Sequence, residues 1–219
     1  MGKVWTCYAC DAPYTGREHA PPSCLFPEGH RVNLITVKSC DLHNGDKSKE
    51  DQVFAYSIAS ACNGNELAFP VIDATKRAWE ERAHLRQVFM PNEKECWTPE
   101  LGNTGSYQAD LPKFEGSVRS MTKAIYFKHF KEKLLTDDLG IMWGVLRFPS
   151  DLEAPFAAVT MKLDRQFGPM KHGSNPRVFQ YDFHDLQHKG QTLHFARFKF
   201  FEGEPLFVYW PASLISADV

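Results

Sequence analysis

Cys7-Tyr8-Ala9-Cys10 and Cys40-Asp41-Leu42-His43 decide how the first part of this chain folds. Each pair leaves a two-residue gap between soft ligands. A tight turn then lets both side chains converge on one ion, while residues 11–39 loop back to bring in the other pair. Tetrahedral zinc suits this donor set. The competing reading is a redox dithiol at Cys7 and Cys10 with Cys40 as a buried thiol, but the βαβ setting of a thioredoxin-like site is absent. Cys24 is the main rival for a ligand position, whereas Cys62 and Cys96 read as buried apolar residues.

Working outward, six cysteines in 219 residues are too sparse for a disulfide scaffold, and four of them lie in the first 40 residues, which favours a metal. Lysine plus arginine number 25 against 27 aspartates and glutamates, so no global positive field advertises nucleic acid and any polyanion site must be local. With 43% apolar and 24% charged residues the chain has the composition of a folded globular protein, not of a disordered tail. No run of about 18 apolar residues occurs, and the N-terminus lacks a secretory pattern. The expectation is a soluble, cytoplasmic protein with no membrane partner.

The apolar pattern predicts a strand over 32–37 and a helix over 48–61, the latter announced by Ser48 and Asp51 in capping-box spacing. Residues 74–90 read as a second helix stopped by Pro91, residues 91–112 as loop, and 117–135 as a third helix with one apolar and one basic face. From Gly140 the pattern turns to short strands, expected at 141–148, 155–163, 177–184, 192–201 and 205–210. The architecture is therefore α+β. A zinc-stapled module over 1–62 precedes helices and a C-terminal antiparallel sheet over 63–219, which has a recognition or regulatory role.

Between the ligand pairs lies Arg17-Glu18-His19-Ala20-Pro21-Pro22, and Asn44 follows the second pair directly. If zinc pins a hairpin to the start of the 48–61 helix, Glu18, His19 and Asn44 share one face. An imidazole there can take a proton from water, while a carboxylate and an amide oxygen offer hard ligands to Mg²⁺. That group suits phosphodiester hydrolysis.

From Cys7 to Asp51, about a fifth of the chain, the segment resembles the HNH nucleases. The string Arg17-Glu18-His19-Ala20-Pro21-Pro22-Ser23-Cys24-Leu25-Phe26-Pro27 is similar to one found in a bacterial and phage subgroup of them. The resemblance implies a ββα-metal, treble-clef-like fold with structural zinc on Cys7, Cys10, Cys40 and His43. It also implies DNA cleavage, with His19 as general base, Asn33 orienting it, and Glu18 and Asn44 holding catalytic Mg²⁺ or Mn²⁺. Two departures stand out: Glu18 replaces the commoner Asp, and His43 the usual fourth Cys. An amide at Asn44 is also a poorer ligand than imidazole for transition ions.

Arg17, Arg31, Lys47, Lys49, Lys123 and Lys128 are the expected phosphate contacts on DNA. The alternative is a catalytically silent zinc-stapled module that binds nucleic acid or protein, with the C-terminal sheet available for a protein partner or a second copy. His184, His188 and His194 read as solvent-exposed turn residues, and the aromatics from Phe195 to Trp210 as core. No G-x-S-x-G, phosphate-cradling loop or dinucleotide fingerprint occurs, which leaves serine-hydrolase, NTPase and Rossmann functions unsupported.

Overall fold

The structure, a computed structural model, describes residues 5–44, 48–62, 64–81, 94–98, 102–106, 110–143, 154–188 and 190–212. The chain opens with a knuckle carrying Cys7 and Cys10. Two short strands follow, β1 (Gly16–His19) and β2 (Thr36–Ser39), paired antiparallel with Arg17 opposite Lys38 and His19 opposite Thr36. The strand expected at 32–37 begins four residues later, because Asn33 sits at φ 53°. That left-handed backbone is one Asn tolerates and an extended strand excludes. After β2 come the one-turn α1 (Asp41–Asn44) and the helix α2 (Ser48–Ala61), which matches its expected span.

α3 (Phe69–Glu80) starts earlier than the sequence pattern indicates, since Pro70 occupies its first turn, where a missing N–H costs nothing. The end expected at residue 90 lies outside the described residues. The segment read as loop holds two antiparallel strands, β3 (Lys94–Thr98) and β4 (Gly102–Ser106); the Gly and Asn signals at Gly102, Asn103 and Gly105 lie in the second of them. α4 (Leu111–Phe130) also begins before expectation. The Lys113 amide donates to the Asp110 carboxylate at its N-terminus, and Lys131 at φ 64° ends it.

The C-terminal sheet has the order β5-β9-β8-β7-β6, from β5 (Gly140–Trp143), β6 (His172–Asn175), β7 (Phe179–His188), β8 (Gln191–Phe200) and β9 (Leu206–Pro211). All pairs are antiparallel. The strand expected at 155–163 is instead the helix α5 (Ala154–Phe167). Thr160, Leu163, Asp164 and Phe167 recur at helical spacing and turn one side to the sheet, a period that the alternating apolar and polar letters of the segment obscure.

Strand alternation gives the sheet two faces. Tyr181, Phe198 and Leu206 lie on one, packed under α2 and α4. Phe54 of α2 meets Phe114 and Phe200, and Tyr126 of α4 meets Phe183 and Trp210. The other face carries Asp182, His184, Phe195, Arg197 and Phe207 beneath Phe167 of α5. Buried residues of the knuckle and hairpin, among them Tyr8, Leu25 and Val37, belong to the same continuous core as α2, α4 and the sheet. Among the described residues no helix is long and apolar enough to cross a membrane.

Candidate functional site

A backbone bridge between Thr6 and Pro13, with Cys7 N–H donating to Ala12 O at 2.9 Å, bends the knuckle tightly enough to aim both its sulfurs one way. Tyr8 N–H donates to Lys38 O at 2.9 Å and Thr15 N–H to Ser39 O at 3.0 Å, which docks the knuckle onto β2. Cys40 follows that strand directly, and the turn closed by His43 N–H to Cys40 O brings the imidazole back over it. Each ligand pair is local in sequence; β1–β2 pairing joins them.

Cys7, Cys10, Cys40 and His43 place their ligand atoms within 4.8 Å of one another. Cys10 Sγ and Cys40 Sγ are 3.7 Å apart, and His43 Nδ1 lies 3.6 Å from the sulfurs of both Cys7 and Cys10 and 3.2 Å from that of Cys40. Zinc–sulfur bonds of about 2.3 Å and zinc–nitrogen bonds of about 2.0–2.1 Å at tetrahedral angles require edges of about 3.8 Å and about 3.6 Å. Three of the four distances match those edges. Burial opposes a thiolate at Cys7, yet hydrogen bonds from the backbone at Ala9, Cys40 and Cys10 and from the Cys40 thiol hold its pKa below the ordinary thiol value. The residues fit a structural zinc ion with four protein ligands. Lys133, beyond α4, donates to Cys10 O at 2.7 Å, Thr6 Oγ1 at 3.0 Å and Asp11 Oδ1 at 2.8 Å, clasping the knuckle from outside.

Cys24 does not join the cluster. Its thiol donates toward Asp51 O, and burial, reinforced by the Asp51 charge, pushes its pKa up to about 12. Cys62 is likewise raised by burial, to about 11, and its thiol faces Phe200 O. The side chain of Cys96 lies outside the described residues.

The residues expected to act on a phosphodiester do not share one face. Glu18, 9% exposed, turns inward, where Ser39 Oγ donates to it at 3.4 Å and the Tyr8 hydroxyl hydrogen-bonds it. Burial and that carboxylate's charge together push the Tyr8 pKa far up. His19 is the next residue of the same strand, so it projects to the opposite, solvent side. The expectation of one shared face fails on this strand alternation. Asn44 falls on the Glu18 side: its Nδ2 lies 3.0 Å from where a Cβ on Gly16 would stand. Asn33 occupies the loop before β2, where its carbonyl accepts from Ser174 Oγ at 3.0 Å.

Of the expected phosphate contacts, Arg17 is exposed on the outer side of β1. Arg31 is exposed, with its Nε donating to Phe26 O at 3.0 Å. Lys128 is exposed on α4, and the side chains of Lys47 and Lys49 lie outside the described residues. Lys123 corrects the expectation. Its side chain is only 12% exposed and its ammonium is held by Asp137 at 2.5 Å, so the basic look of α4 in sequence overstates its free charge.

The sequence reading also missed the polar cluster on the α5 face of the sheet. Arg197, 0% exposed, donates to Asp182 through Nε at 2.9 Å and through Nη2, and reaches Asp164 Oδ1 at 2.7 Å. His184 belongs to that cluster, stacked on Phe167 with ring centres 3.9 Å apart; it is not a turn residue. His194 likewise lies in β8 with Nδ1 2.6 Å from Asp185. An alternation of charged and aromatic letters in β7 and β8 was the available signal, and it marks a strand buried on both faces.

No family model matches the chain, and no curated protein or solved structure matches it.

Proposed function

We propose that this protein is a zinc-stapled nucleic-acid-binding module that does not itself cut its ligand. The observation that supports this reading is the division of the hairpin: a complete four-ligand cluster beside it, and His19 on the opposite face from Glu18. Zinc supplies rigidity to a segment whose strands are four residues long. The hairpin's outer side then carries exposed Arg17 directly opposite half-buried Lys38. Cations held at set spacing on a stiff ribbon follow a phosphate backbone, and releasing its counterions drives binding.

The test is a binding titration of the zinc-loaded protein with duplex and single-stranded DNA at several salt concentrations, alongside plasmid incubated with Mg²⁺ or Mn²⁺. Salt-dependent binding, one zinc per chain, no cleavage and unchanged binding by His19→Ala are the expected results. Absence of binding at low salt would overturn the reading.

One observation favours a second reading, DNA hydrolysis of the HNH type. Asn44 sits on the same side of the hairpin as Glu18, the two residues that would hold a divalent cation, and a carboxylate with two partners keeps lone pairs for a third. Mg²⁺ would supply charge neutralisation at the leaving oxygen, whereas His19, on the other face of β1, is not placed to act on a substrate held there. Mg²⁺-dependent plasmid cleavage by the unmutated protein that Glu18→Gln abolishes would establish this reading over the first.

A further inference from the structure

We infer that the seam between the zinc-stapled segment and the edge of the C-terminal sheet is a binding site for a small aromatic carboxylate. A cavity of about 320 Å³ lies there, walled on one side by Pro21, Phe26, Leu34 and Ile35 and on the other by residues 171–175 with Phe179 and Tyr181. β6 is the last strand of the sheet, and its pairing with β7 slips: His172 faces Tyr181 but Asn175 faces Phe179, one residue too many for an even ladder. Gly173 takes φ 138° at that bulge, where a Cβ would stand 2.5 Å from Phe179 O. The bulge lets two successive side chains reach one loop, which even pleating would turn to opposite faces. Ser174 Oγ donates to Asn33 O at 3.0 Å and Asn175 Nδ2 to Val32 O at 2.7 Å. Those two bonds fix one wall against the other, which keeps the space between them from collapsing.

The lining says what fits. An apolar cavity of about 150 Å³ takes one benzene ring, so this one has room for about two. Its floor is apolar, with Phe26, Phe179 and Tyr181 all buried. The Phe179 and Tyr181 rings stand 5.9 Å apart at 18°, and the His172 ring lies 5.2 Å from that of Tyr181 at 29°. An aromatic body meets such rings, stacked or edge-on, in better contact than a saturated one. Polarity comes from the rim. Lys171 is exposed and has no ion pair among the described residues, and none of those that line the cavity is acidic. Asp164 and Asp182 are engaged by Arg197 on the other face of the sheet, and Glu28, on the loop beyond Phe26, does not line the cavity. One ammonium balances one negative charge. A carboxylate carries that charge, where a phosphate monoester would carry nearer two and call for a second cation. Asn33 and His172 add hydrogen-bond donors on the same rim.

The experiment titrates the full zinc-loaded chain with 2-naphthoate, followed by calorimetry and by NMR contacts to side-chain methyls, with 2-naphthamide, cyclohexanecarboxylate and inorganic phosphate as comparisons. One 2-naphthoate per chain should bind, show contacts to the methyls of Leu34 and Ile35, and raise the thermal midpoint. Loss of the charge in 2-naphthamide, or of its partner in Lys171→Met, should each weaken binding about fivefold, the upper range for an exposed ion pair. For the neutral amide, Lys171→Met and the unmutated protein should bind alike, since the pair is already broken. Cyclohexanecarboxylate and phosphate should both bind more weakly than 2-naphthoate. Ser174→Phe, which fills the cavity, should abolish binding; if that variant fails to fold, Lys171→Met on the exposed rim keeps the test intact. No binding at millimolar 2-naphthoate, contacts only to residues elsewhere, or a comparison ligand that binds as well as 2-naphthoate overturns this inference. Displacement of 2-naphthoate by oligo-dT overturns it too, and assigns the cavity to a polynucleotide. The nucleic-acid reading above is decided by its own titration, whichever of these results is found.

Discussion

The knuckle and hairpin differ from the C-terminal sheet in what makes them rigid. Residues 5–44 hold two four-residue strands, a 3-10 turn at Ser23–Leu25 and the one-turn α1, too little regular structure to hold a fixed shape, and the four ligands supply the missing constraint. Residues 179–211 form ten- and six-residue strands packed on both faces by aromatic rings, with one arginine sealed between two carboxylates. A metal fixes a few atoms strongly; a sheet fixes many atoms weakly.

Metal removal should break the comparison most visibly. Chelation, or Cys40→Ser, should abolish amide-exchange protection over residues 5–44, since metal binding in such sites is worth about 10–16 kcal/mol in isolated peptides. Protection over residues 179–211 should persist, measured by hydrogen exchange. Simultaneous loss in both regions would show that the shared core, to which Tyr8, Leu25 and Val37 contribute, makes them one cooperative unit.

Next in size is Arg197→Met, which strands Asp182 without its partner in a site neither residue leaves open to water. A loss of about 3–5 kcal/mol is expected from denaturant unfolding. The double variant Arg197→Met/Asp182→Leu should recover much of it, because removing both charges removes their desolvation too. If the double variant is no better than the single one, the pair holds the sheet by more than mutual compensation.

What the sequence made readable follows the same division. Ligand spacing is a local code, so Cys7, Cys10, Cys40 and His43 could be grouped from their gaps alone. The α2 boundaries likewise follow from nearby letters. The face on which Glu18, His19 and Asn44 would meet depends on strand register and pleat, which no spacing reveals, and alternation separated His19 from the other two. Residues 155–163 were misread because α5 buries its narrow stripe on a sheet whose own outer face is polar, so its apolar period is diluted. The cavity at the seam carried no signal either, since its walls come from residues 21–35 and 171–181, and no pattern within either segment points to the other.

The smallest expected effect concerns His129 on α4. Burial, with His172 and Lys131 adding repulsion, holds its pKa below the ordinary imidazole value. The unfolded chain therefore takes up this proton first as pH falls, and stability should decline from about pH 6.5 downward until the folded-state pKa is passed. His129→Asn should flatten that part of a thermal midpoint profile, while acid loss of zinc affects both proteins alike.

Lys133 grips three oxygens of the knuckle with one ammonium group. Acetylation of that single side chain would neutralise it and release Cys10 O, Thr6 and Asp11 together, so an enzyme or reagent acting far along the polypeptide would loosen the bracket around the thiolates without touching any of them.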